Sequence, residues 1–139
     1  MQDRITYEPI TELFPHEIFV FGSNYAGRHG KGAAKFALDN FGAVFGQGFG
    51  PMGQSYAIPT KDRNIETLPI EEIQPYIWVF IKYAKQNPNL IFKVSKIGCG
   101  LAGYGPEDIA PLFEQAIAVE NIHLPIEFWE ILNHKYGRI

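Results

Sequence analysis

The chain has 139 residues, 46% of them apolar and 19% charged, with a formal net charge of -3. This is the profile of one globular domain spanning 1–139, long enough to bury roughly two-thirds of its unfolded surface. The acidic balance argues against a surface that tracks long nucleic acid. Cys99 is the sole cysteine, which excludes an internal disulfide, and no signal-like start or membrane-length apolar run is present. The expectation is therefore a cytoplasmic protein with no membrane partner.

In chain order, Arg4 to Tyr7 reads as a short edge strand, and Glu17 to Asn24 as a β-rich run whose apolar centre predicts burial on both faces. Ala33, Ala34, Phe36, Ala37 and Phe41 then recur at helical spacing, so a helix is expected over Lys31 to Asn40, capped near Gly42. Gly42 to Gly53 has neither period and reads as a loop, with Phe45 and Phe49 either walling a pocket or anchoring the loop. Ser55 to Lys61 is a strand. A long helix follows through Ile73, Ile77, Phe80, Ile81 and Ala84, with Pro75 marking its start or a kink in its first turns.

Leu90 to Ile97 is the next strand, and Ile109, Leu112, Phe113, Ala116 and Ile117 outline another amphipathic helix whose first turn is complicated by Pro106 and Pro111. A last strand is expected within Ile122 to Trp129. Trp129 and Tyr136 either form a dimer contact or cover a sheet edge. Strands alternating with helices predict an α/β fold with a mostly parallel or mixed sheet covered on both faces.

In such a sheet, ligands bind beyond the carboxyl ends of the strands. Two glycine-rich loops leave strands at that end, one from Gly22 to Ala33 and one from Gly98 to Gly105. Glycine lets a ligand approach the backbone closely, and a following helix N-terminus adds partial positive charge, so an anion such as a pyrophosphate is the expected guest. Arg28, Lys31 and Lys35 lie beside the first loop and suit either a local anion site or a solvated helix face.

Several motifs fail on context. Gly98 to Gly103 matches G-x-G-x-x-G literally, but it lies late in the chain with no second mononucleotide half beyond it. Gly30, Lys31 and Gly32 break the Walker pattern, which needs Ser or Thr after the lysine. His16, His29, His123 and His134 are scattered, so no metal site is expected. Cys99 lacks a companion histidine and reads as a small, partly buried loop residue rather than a nucleophile.

The order of these elements resembles a macro domain, especially the branch that includes the terminal ADP-ribose protein glycohydrolases. Arg4 to Tyr7 followed by Glu12, Leu13 and Phe14 looks like the opening strand and its acidic element, and Phe21 to Ala34 is similar to the first ligand loop. Tyr56 to Lys61 resembles the strand that ends in that branch's catalytic lysine. Ile97 to Leu101, with Gly103 and Tyr104, reproduces its second, phosphate-gripping loop.

The resemblance implies a three-layer α/β/α fold that binds ADP-ribose, with the pyrophosphate between the loops and the adenine near Glu12. It implies ligand contacts from Gly22, Ser23, Asn24, Gly30 and Gly32 of the first loop. The second loop supplies Gly98, Cys99, Gly100, Leu101, Ala102, Gly103 and Tyr104. Tyr104 either caps the distal ribose or simply packs. For catalysis it implies Lys61 as a nucleophile, although Lys61 also reads as a strand-end lysine that contacts the ligand's ribose or phosphate, and Asn24 as a residue that orients a water or a ribose hydroxyl. The glycohydrolase branch carries an aspartate immediately after its IGCGL string, where this chain has Ala102; Glu107 and Asp108 are the nearest substitutes, although both also suit a helix N-terminus.

Two functions from different classes follow. The first is a binding module for ADP-ribose or a related NAD-derived nucleotide, without a cofactor. The second is a hydrolase that removes ADP-ribose from a modified protein, nucleic acid or small molecule. A sensor or sequestering protein for another nucleotide signal is a third reading, suggested by the glycine-rich loop from Gly46 to Gly53.

Overall fold

The computed structural model of the chain describes residues 3–137. It is an α/β fold built on a mixed five-stranded sheet. Strand β1 (Glu17–Asn24) lies at the centre, flanked by β3 (Ser55–Lys61) and β4 (Ile91–Val94), both parallel to it. The short β5 (Ile122–His123) adds to β4 in parallel, and β2 (Gly50–Met52) pairs antiparallel with β3, giving the order β2-β3-β1-β4-β5.

Alternation along these strands divides the core in two, because successive side chains point to opposite faces. Ile18 and Val20 join Tyr56, Ile58, Phe92 and Val94 on one face, while Phe19, Phe21 and Ala57 point to the other. The first face is covered by helix α2 (Ile70–Lys85), by a 3-10 segment (Ala110–Ala118) and by helix α4 (Ile126–Tyr136). Helix α1 (Gly32–Asn40) covers the second face with Ala34 and Ala37, beside a smaller cluster around Phe41, Ala43 and Met52. Both cores hold aromatic clusters: Phe80, Phe92, Tyr56 and Tyr83 meet edge-on or tilted in the first, and Phe19, Phe21, Phe36 and Phe41 meet in the second.

Several expected elements are revised. Arg4 to Tyr7 contributes only an isolated bridge, between Ile5 and Leu124, rather than a strand. The loop from Gly42 to Gly53 ends in β2. Strand β4 ends at Val94, earlier than expected; Ser95 still bonds the Val20 carbonyl with both its N–H and its hydroxyl, at 3.0 and 2.7 Å. Helix α2 starts at Ile70, where Glu71 and Glu72 suit its N-terminus, so Pro75 lies inside the helix rather than at its start.

The helix expected through Ile109 and Ile117 divides into the single turn α3 (Pro106–Ile109) and the 3-10 segment. Pro111 stands at the junction, where it lacks the N–H that would carry the α-helical ladder back to the Glu107 carbonyl. The strand expected within Ile122 to Trp129 is confined to Ile122 and His123; beyond Pro125 the buried residues Phe128, Trp129 and Leu132 lie on α4. No described helix is long and apolar enough to cross a membrane.

The N-terminal segment is held by its bridge to Leu124 and by the side chain of Arg4. The Arg4 guanidinium donates to the carbonyls of Ala116, Ile117, Val119 and Ile122 at 2.7–3.1 Å, tying the end of the 3-10 segment to the start of β5. It also sits 4.9 Å from the Trp129 ring centroid, and the Trp129 indole donates back to the Arg4 carbonyl at 2.7 Å.

Candidate functional site

Beyond the carboxyl ends of β1, β3 and β4 lies a cavity of about 500 Å³, within the size range of small-molecule sites. Three segments form it: the loop from β1 into α1, the end of β3 with its following turn, and the loop after β4. From the first come Gly22, Ser23, Asn24, Gly30 and Gly32. Lys61 enters from β3, and Gly98, Gly100, Leu101 and Ala102 from the last segment. Sequence reading thus placed both glycine loops on one cleft.

The two loops touch. A Cβ built on Gly22 would lie 3.6 Å from the Gly98 nitrogen, and one on Gly32 would lie 3.5 Å from a Leu101 methyl carbon. Gly98 adopts φ +75, and a side chain there would press on Ile109 at 2.9 Å, so this position requires glycine to turn the chain off the sheet. Gly30 and Gly100 differ: a Cβ at either would meet nothing within 4 Å.

Other sequence-chosen residues lie outside the cavity lining. Glu12 is exposed on the segment before β1. Cys99 packs on the larger core, its Sγ donating to the Ile97 carbonyl at 3.5 Å, and burial together with nearby Glu107 pushes its thiol up to about 11. That makes it a poor nucleophile near neutral pH. Gly103 closes the turn by donating its N–H to the Gly100 carbonyl. Tyr104 packs on the core, with its hydroxyl donating to the Leu68 carbonyl at 2.8 Å.

Asn24 lines the cavity but is also a loop staple. Its Nδ2 donates to the Arg28 carbonyl at 2.9 Å, and its Oδ1 accepts from the Arg28 N–H at 3.0 Å. This clasp sets the course of the backbone that carries Arg28 to the cavity. The buried His29 ring braces the same loop, its Nε2 lying 2.9 Å from the Gln47 carbonyl and its edge against Phe21.

The lining carries Arg28, Lys31, Lys61 and Lys96, and no Asp or Glu. Lys96 is shared with α4, its Nζ lying 2.7 Å from Glu127 Oε2. Among the described residues, Arg28, Lys31 and Lys61 form no ion pair. Helix α1 has no side-chain cap at Lys31, and its first residues Gly32, Ala33 and Ala34 line the cavity. Its first-turn N–H groups therefore face the cavity without a side-chain acceptor, adding dipolar positive potential. Among the described residues, the N–H groups of Gly100, Leu101 and Ala102 likewise have no backbone acceptor.

Neither expected substitute for the missing carboxylate lines the cavity. Asp108 accepts the Gly105 N–H at 3.0 Å and so caps α3, while Glu107 is exposed on the same turn. Sequence reading missed Thr60, Ser95 and Lys96, which reach the cavity from strand ends. Their signal was position alone: Thr60 precedes Lys61, and Lys96 precedes the glycine loop by two residues. It also missed Ile65, for which the sequence offers no signal, because a β-branched residue is not expected to adopt its φ of +63.

Among the described residues, no cluster of three or more His, Cys, Asp or Glu side chains is arranged to hold a metal ion. No protein-family model matches the chain, and no curated protein or solved structure matches it.

Proposed function

We propose that the cleft binds ADP-ribose or a related NAD-derived nucleotide, with the phosphates gripped between the two glycine loops in the manner of a three-layer macro domain. The observation that carries this reading is electrostatic: four cationic side chains and no carboxylate line one cavity in a chain whose net charge is -3. The uncapped N-terminus of α1 and the free N–H groups after Gly98 add donors suited to phosphate oxygens. The macro-domain resemblance supplies the ligand class, and the placement of both resembling loops on one cleft supports it.

Binding without cleavage is favoured over hydrolysis. A hydrolase needs a group to take and return a proton at the reacting centre. Ala102 stands where the resembling enzymes have an aspartate, Asp108 is engaged as a cap, and Asn24 is engaged by its own loop. Lys61, at the cavity, is the one observation in favour of cleavage.

Calorimetric titration with ADP-ribose, compared with AMP, NAD and a cyclic nucleotide, tests the proposal. Saturable binding with preference for ADP-ribose is expected, together with no release of ADP-ribose from a modified protein substrate. Absence of ADP-ribose binding would overturn the reading. Turnover that disappears in Lys61→Ala would replace the binding module with the hydrolase.

A further inference from the structure

His29 lies behind the cleft rather than in its lining. The residue is 1% exposed, yet it sits between Arg28 and Gly30, both of which line the cavity. Its Nε2 lies 2.9 Å from the Gln47 carbonyl oxygen, and its Nδ1 is buried without a partner among the described residues. A carbonyl only accepts, so the ring's hydrogen belongs on Nε2; on Nδ1 it would be buried with no acceptor. The Phe21 ring stands nearly perpendicular to the imidazole, 5.4 Å away, and packs it in that orientation.

The carbonyl it reaches belongs to a segment built against the back of the first glycine loop. The Gly46 N–H donates to the Gly27 carbonyl at 2.9 Å, and the Ser23 hydroxyl donates to the Gly48 carbonyl. The backbones are too close for a side chain between them, since a Cβ on Gly27 would collide with the main chain of Gln47. The Gln47 amide in turn donates to the Phe49 and Pro51 carbonyls at 3.1 and 3.2 Å, which ties the segment to β2. These bonds hold the loop as far as Gly27, and the Asn24 clasp holds it as far as Arg28. Beyond that point, among the described residues, the main chain of His29 and Gly30 makes no hydrogen bond to main chain elsewhere, so the imidazole is the anchor of the stretch that leads into α1.

We infer that His29 is a positioning residue for the cleft: through its Nε2–H bond to Gln47 it sets where Arg28 and Gly30 stand against the ligand's phosphates. The inference rests on the nucleotide reading, in which the first glycine loop grips the pyrophosphate. His29 itself lies outside the cavity lining and acts through its two neighbours. Without the bond, the stretch from Arg28 to Lys31 samples several courses, and apparent affinity falls by the fraction of molecules that hold the competent one. Packing alone does not account for the imidazole. An apolar side chain would fill the space beside Phe21 equally well, but it would leave the Gln47 carbonyl without its donor.

Calorimetry with ADP-ribose and nitrogen NMR spectra of the imidazole test this role. His29→Leu keeps bulk beside Phe21 and removes the donor; His29→Gln restores an N–H donor. The folded His29→Leu protein should bind ADP-ribose about tenfold more weakly, the scale of one lost hydrogen bond, and His29→Gln should bind within about threefold of the unmodified protein. A role confined to stability would lower the melting temperature of His29→Leu and leave its affinity unchanged, and that result would overturn the inference. So would His29→Gln binding as weakly as His29→Leu. In the unmodified protein, which needs no variant to fold, the spectra should place the hydrogen on Nε2 with and without ADP-ribose; a hydrogen on Nδ1 would overturn the brace whatever the variants do. If the unmodified protein binds no ADP-ribose, the nucleotide reading itself fails and the positioning role falls with it; unchanged binding in His29→Leu removes the positioning role alone.

Discussion

The two places where helical backbone ends near the sheet are finished in opposite ways. At the β5 edge, one guanidinium, that of Arg4, donates to four carbonyls at and beyond the end of the 3-10 segment. At the cleft, the first N–H groups of α1 have no side-chain cap, and the glycine loop beside them leaves further N–H groups open. Folded chains pair nearly all their buried backbone polar groups. The residues at the open end are mostly exposed, so water serves their N–H groups until a ligand of opposite polarity takes its place, whereas the set at Arg4 is held within the fold and contributes to stability alone.

The sharpest way to break this contrast is to remove Arg4. Arg4→Ala removes a charged donor from four carbonyls, of which those of Ala116 and Val119 keep a backbone donor, and uncovers the Trp129 face; it should cost about 3 kcal/mol of stability in urea unfolding, with ligand affinity unchanged in the folded protein. Arg4→Lys should recover little, because an ammonium cannot reach several carbonyls in a fixed fork. An Arg4→Ala protein of normal stability would mean that the closed end is not held as described.

Gly100→Val examines the open end. Its Cβ would meet open space, so unfolding should shift by less than about 1 kcal/mol, while the added bulk occupies the cavity and should weaken ADP-ribose binding roughly a hundredfold. A variant that keeps full affinity would show that the loop does not grip the ligand.

The smallest effect concerns acid. His123, on β5 beside Lys93, is held down to about 4 from 6.5 by burial and by the Lys93 and Arg4 charges, and its Nδ1 is buried without a partner. Between those values the unfolded chain binds the proton and the fold does not, so stability should fall as pH drops from 6.5 towards 4. After allowance for partial exposure, the loss is on the order of 1 kcal/mol. His123→Gln should flatten that part of the pH profile; an unchanged profile would assign the acid sensitivity to other groups.

Much of this arrangement was legible because its causes are local. The unbroken apolar run of Ile18 to Phe21 needs cover on both faces, and the 3.6-residue stripe through Ile73, Ile77, Phe80, Ile81 and Ala84 defines one side of a helix. The errors cluster at short elements. Pro111 and Pro125 changed the geometry of apolar stretches that periodicity alone does not distinguish, and β5 is held mainly by pairing with β4. At the site, glycine-rich loops at strand ends were visible, but not which glycines serve packing. Gly48, in the loop before β2, would place a Cβ 1.9 Å from the Asn24 carbonyl oxygen, whereas Gly30 and Gly100 open onto the cavity.

By itself the sequence determined the alternation of strands and helices, the α/β class and the convergence of two glycine loops at one end of the sheet, since each follows from residue spacing. Only the tertiary structure decided which side chains those loops share a cavity with. It brought in Lys96 and Ile65, turned Cys99 and Tyr104 towards the core, and engaged Asn24 and Asp108 with nearby backbone. The physical reason is that a backbone period is a property of neighbours in the chain, whereas a side chain's role depends on the hydrogen-bonding and packing partners that distant segments bring to it.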